Sequence, residues 1–88
     1  MKIKENYMIR SVAGQYIVVP VGDASVDFNA MISLNETGAF LWGKMAEETT
    51  EAKLVAALLE EYDVSEETAM ADVKAFAQKM REAGLLDE

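Results

Sequence analysis

Sixteen Asp and Glu side chains stand against eight Lys and Arg in a chain that contains neither cysteine nor histidine. Those two gaps remove most catalytic chemistry. No Cys or His nucleophile–base pair can be assembled. A zinc site would rest on carboxylates alone, which is unusual, so no metal and no cofactor are assigned. Two carboxylates can in principle exchange protons with a substrate. Here the acidic residues fall on helix outer faces and caps without converging, and no catalytic residue is assigned. The chemistry that remains is recognition. Its candidate groups are main-chain N–H and C=O on an unpaired strand edge, adaptable methionines (Met31, Met70) and a few cations (Lys74, Arg81).

The elements that must position these groups meet in the stretch Val26 to Trp42. Phe28, Ala30, Ile32 and Leu34 alternate with Asp27, Asn29, Met31 and Ser33, the period of a strand. At Asn35 the period becomes helical. Asn caps a helix because its side-chain oxygen accepts a backbone N–H that the first turn leaves unpaired. Glu36 follows where the helix dipole favours negative charge. Gly38 costs helix propensity and suggests a close backbone approach.

Upstream, Tyr7 to Val12 and Tyr16 to Val21 read as strands joined by a tight turn at Ala13-Gly14. Pro20 belongs at a strand end, and Gly22 to Ser25 read as loop. Downstream, a first helix runs from Glu36 to about Glu47, with Phe40, Leu41 and Met45 inward and Trp42 off that stripe. Thr50 caps a second helix, whose apolar stripe is Leu54, Val55, Leu58, Leu59 and Tyr62. Ser65 caps a third, which extends to about Ala83 and stops at Gly84, after which Leu85 and Leu86 tuck the tail back. On the third helix Ala69, Val73, Phe76 and Met80 centre the apolar arc. Met70 and Ala77, then Lys74, Gln78 and Arg81, continue one flank, and Asp72 and Lys79 border the other.

The order is β-β-β-α-α-α. Burying one sheet face and three helix stripes together gives an α+β fold, a small winged helix-turn-helix-like domain with a three-stranded antiparallel sheet followed by three helices. With 88 residues, 51% apolar and 27% charged, the chain suits a single domain, residues 1–88, with a modest stability margin. No signal peptide and no apolar run near the length of a membrane span are present, so a cytoplasmic protein without a membrane partner is expected. The formal net charge is −8. Its ordinary role is solubility, and it also repels phosphates and anionic lipid. A DNA-binding winged helix is the rival reading. Its would-be reading helix sets Lys74, Lys79 and Arg81 against Glu66, Glu67, Asp72 and Glu82, a net charge of −1 where a basic face is needed.

If the third strand is an edge and the third helix lies beside it, a peptide can add as a further strand in the groove between them. Met31 and Met70 would make that groove apolar, and Lys74 and Arg81 would make one rim basic. The plainer account is that helix stripes are core, surface cations are solvated and most strand edges are never used.

The run L-N-E-T-G-A-F-L-W (Leu34 to Trp42) resembles the hallmark of the PqqD-like family. So do L-L-E-E-Y-D-V (Leu58 to Val64), D-V-K-A-F (Asp72 to Phe76), the closing G-L-L (Gly84 to Leu86) and the upstream hairpin Arg10 to Gly22. One departure is the loop A-E-E-T (Ala46 to Thr49), where many members place Asp-Gly. The resemblance implies a non-catalytic peptide chaperone. Such a protein is a recognition element that holds the leader of a ribosomally made precursor peptide (a RiPP precursor) on the third strand, beside the third helix. It presents the core segment to a modifying enzyme, often a radical S-adenosylmethionine (radical SAM) enzyme. The named member serves pyrroloquinoline quinone (PQQ) biosynthesis, and another natural product is as compatible with this chain. Carried over by position, the peptide-facing candidates are Asp27, Phe28, Asn29, Ala30, Met31, Ile32 and Ser33, with Met70, Val73, Lys74, Ala77, Gln78 and Arg81 on the third helix. Exposed strand edges also allow a homodimer.

Overall fold

The hairpin that opens the sheet turns on two residues in the left-handed region, Ala13 (φ 52°) and Gly14 (φ 81°). A two-residue turn needs this geometry to match the right-handed twist of its strands. Glycine accepts it freely, whereas Ala13 carries a Cβ into a region that L-residues avoid. Ala13→Asn should therefore stabilise the protein by about 0.5 kcal/mol, seen as a rise of about 2–4 °C in Tm.

The computed structural model describes residues 1–22 and 32–87. The expected loop from Asp23 and the expected strand from Val26 to Met31 lie outside the described residues. In chain order the elements are β1 (Lys2–Ile3), β2 (Tyr7–Val12), β3 (Gln15–Pro20), β4 (Ile32–Leu34), α1 (Glu36–Lys44), α2 (Glu51–Glu61), α3 (Glu66–Glu82) and β5 (Leu86–Asp87). The fold is α+β: a three-stranded antiparallel sheet in the order β2-β3-β4, followed by three helices. β3 and β4 pair in the register Tyr16↔Leu34, Ile17↔Ser33 and Val18↔Ile32. That register places Val18, Ile32 and Leu34 in the core and leaves Ser33 exposed.

All three expected helix caps form. Asn35 Oδ1 accepts the Gly38 N–H at 2.7 Å, Thr50 Oγ1 accepts the Lys53 N–H at 3.2 Å, and Ser65 Oγ accepts the Thr68 N–H at 3.1 Å. α1 ends at Lys44, three residues before the expected Glu47, with Met45 as its cap. Trp42, off the inward stripe on helical spacing, is nonetheless buried among the core residues. α3 closes as the sequence suggests. Gly84 takes φ +75°, its N–H reaches the Arg81 carbonyl, and the Leu85 N–H reaches the Met80 carbonyl at 2.9 Å. This paired closure satisfies the last carbonyls of the helix and drives Leu85 into the core.

Two short strands are additional to the expected elements. β1 pairs antiparallel with β5, Ile3 opposite Leu86, and Ile3 N–H also donates to the Met45 carbonyl at 2.8 Å. The two ends of the described chain are thereby tied under α1, and Ile3 and Leu85 join the core. Two-residue strands carry too little periodicity to be read from sequence.

Candidate functional site

β4 has β3 as its hydrogen-bonded neighbour and, among the described residues, none on its other side. Beside that open side lies a cleft of ≈ 390 Å³. Ser33, Leu34 and Asn35 form its strand wall, Thr37, Gly38 and Leu41 its floor from α1, and Asp72, Ala75, Phe76 and Lys79 its helix wall from α3. Each contribution has a local cause. The strand-to-helix switch at Asn35 turns α1 sharply under the end of β4. Gly38 permits the close approach: a Cβ there would lie 3.1 Å from Asn35 Oδ1, 3.4 Å from Leu34 Cβ and 3.5 Å from Phe76 Cε1. α3 lies over both, held by Ala69, Val73, Phe76 and Met80 in the core.

The helix wall carries one anion and one cation. Asp72 and Lys79 are seven residues apart, two helical turns, about 10.5 Å along the axis, so they mark the two ends of the cleft. Lys79 Nζ donates to the Ser33 main-chain carbonyl at 3.0 Å. A residue in an antiparallel strand directs its N–H and C=O to the same side. A carbonyl reached from α3 therefore marks Ser33 as a residue whose main-chain groups face the cleft.

The residues singled out from sequence separate into several places. Asp27 to Met31 lie outside the described residues. Ser33 lines the cleft, while the Ile32 side chain points into the core. Val73 and Ala77 are 1% and 2% exposed and pack inside. Met70, 42% exposed, lines a second cleft with Val73 and Lys74, between α2 and α3 and walled by Glu51, Ala52, Val55 and Glu66. Gln78 lies on the outer surface, donating to Glu82 Oε1 at 2.9 Å and accepting from Arg81 Nη1 at 3.3 Å, and these residues line neither cleft. The flank of α3 that borders β4 is thus the one carrying Asp72, Ala75, Phe76 and Lys79. Sequence spacing assigned Asp72 and Lys79 to a common flank. It held no signal for which flank α2 would cover.

Opposite charges also line the α2–α3 cleft (Glu51, Glu66 and Lys74) and a third cleft at the chain ends (Lys2, Lys4, Glu5 and Asp87), neither of which involves β4. Among the described residues, no group of three or more acidic side chains could hold a metal ion, and no helix is long and apolar enough to cross a membrane. Desolvation, with Glu36, Glu61 and Tyr16 adding to it, raises the pKa of the Tyr62 hydroxyl above its ordinary value. Its ring packs edge-on against Phe40 at 5.5 Å and serves the packing of α1 against the end of α2.

Fold and site together define a small winged-helix-like domain with an open strand edge beside an amphipathic helix. The family model for coenzyme PQQ synthesis protein D (PqqD) matches residues 14–86, and the chain belongs to the PqqD family. Two solved structures share the fold. TbiB1 in complex with the TbiA(beta) leader peptide aligns with a TM-score of 0.75 at 20% identity, covering 99% of this chain and 95% of that one. Lasso peptide synthetase B1 complexed with the leader peptide aligns with a TM-score of 0.71 at 18% identity, covering 96% of this chain and 93% of that one. Comparison with curated proteins finds no match.

Proposed function

We propose that this protein is a non-catalytic recognition element that binds the leader segment of a ribosomally made precursor peptide as an added strand on β4, in the cleft against α3. The observation that carries the reading is the cleft itself. It joins the open side of a sheet-edge strand to a helix flank that offers an apolar surface (Ala75, Phe76) and two opposite charges. Main-chain hydrogen bonds to Ser33 would supply affinity, and alternate guest side chains dropping against Phe76 would supply selectivity. The two structural neighbours that hold leader peptides support the same reading. On this reading the peptide-facing helix residues are Asp72, Ala75, Phe76 and Lys79. Met70 and Lys74 belong to the separate α2–α3 cleft. The partner that acts on the held peptide is a modifying enzyme, of the radical SAM class or another, and the protein works in the cytoplasm.

Hydrogen exchange tests the reading directly. Leader segments of precursor peptides encoded near this chain's gene are titrated in, and exchange at the Ser33 amide is followed. A bound strand should slow that amide at least tenfold, whereas binding that leaves it unchanged would place the guest elsewhere.

A further inference from the structure

The cation on the cleft wall is already engaged with the groups a guest strand would use. Lys79 donates to the Ser33 carbonyl, the acceptor that an added strand would fill with its own N–H. Among the described residues the Lys79 ammonium has no other hydrogen-bond or ion-pair partner. Asp72 stands about two turns away, too far to take it. An arriving strand therefore competes for the acceptor and leaves a cation beside the guest without a partner of its own. The rest of the protein makes that position distinctive. At a net charge of −8 the chain repels acidic peptides in general, and Lys79 is the one cation lining this cleft among the described residues.

We infer that Lys79 is the selectivity residue of the cleft: it stands in for the guest on the Ser33 carbonyl and, when displaced, pairs with an Asp or Glu side chain of the guest strand. This deepens the proposed function and rests on strand addition at β4. The chemistry named is a guest with a carboxylate at the Lys79 end of the cleft and none at the Asp72 end, where like charges would meet. Charge order along the guest then sets its direction and register, which main-chain hydrogen bonds alone leave open. The pair is solvent-exposed, so the preference is a few-fold effect rather than a switch.

Selection from a displayed library of random 15-residue peptides tests this without knowledge of the natural precursor. The wild-type chain, Lys79→Glu and Lys79→Met are used in parallel. Binders at the edge are identified as those lost on Ser33→Pro, and thermal melts confirm that each variant folds. The expected result is one acidic position enriched among edge binders of the wild type. That position turns basic with Lys79→Glu and loses its charge preference with Lys79→Met. Resynthesised acidic binders should lose about fivefold in affinity to Lys79→Glu. Edge binders with no such position, or with one that does not invert, would overturn the role of Lys79 and leave strand addition standing. Finding no peptide whose binding depends on Ser33 would overturn strand addition, and this inference with it.

Discussion

Ser33→Pro should lower leader-peptide affinity at least tenfold while leaving the fold in place. Ser33 sits at the middle of β4, opposite Ile17, with its carbonyl turned toward the cleft and engaged by Lys79. Its N–H lies on the same side, so the β3–β4 ladder does not depend on it. Proline on the unpaired side of an edge strand is tolerated for that reason. For a guest strand the change is severe. One donor is gone, and the pyrrolidine ring occupies the space where the guest carbonyl would dock. A lost main-chain hydrogen bond is worth about 1 kcal/mol and the steric exclusion adds to it; tenfold corresponds to about 1.4 kcal/mol. Circular dichroism and a thermal melt check the fold, and fluorescence anisotropy with a labelled leader checks affinity. A folded variant with unchanged affinity would count against β4 as the docking strand. Ser33→Ala, which keeps the N–H, should bind as the wild type does.

The largest effect on stability is expected at the seam between the two longer helices. Leu58 is 1% exposed and stands with Leu54 on the buried face of α2, in one core cluster with Ala69, Val73 and Met80 of α3. Leu58→Ala should cost about 3 kcal/mol, from lost burial and from a cavity that the surrounding side chains only partly close. A domain of this size has a total of roughly 4–13 kcal/mol, so the loss is a large share. Tm should fall by about 12–24 °C. The consequence reaches the cleft. α2 covers one flank of α3 and so leaves the flank with Asp72, Phe76 and Lys79 for β4. Loosening that seam should weaken peptide binding beyond the fraction unfolded, which parallel melts and titrations would separate.

Much of this protein was legible without coordinates, because the signals were local. Asn35, Thr50 and Ser65 each place a side-chain oxygen within reach of an N–H three residues on, and all three caps form. Ile32 and Leu34, the described end of the alternation, and Ala69, Val73, Phe76 and Met80 of the helix arc are buried as their periods require. Gly84 stops α3 because a left-handed residue closes the last carbonyls. The absence of cysteine and histidine limits the chemistry whatever the fold.

What tertiary structure alone decided is the pairing of surfaces that are distant in sequence. A helix has two flanks beside its buried stripe, and periodicity treats them alike. Only the seating of α2 turns Met70 and Lys74 toward one cleft and Asp72, Ala75, Phe76 and Lys79 toward the other. The β1–β5 tie arises the same way, from two residues at each end whose pairing partner no local pattern can name. So does the contact between Lys79 and the Ser33 carbonyl, 46 residues apart in sequence, on which the proposed selectivity rests.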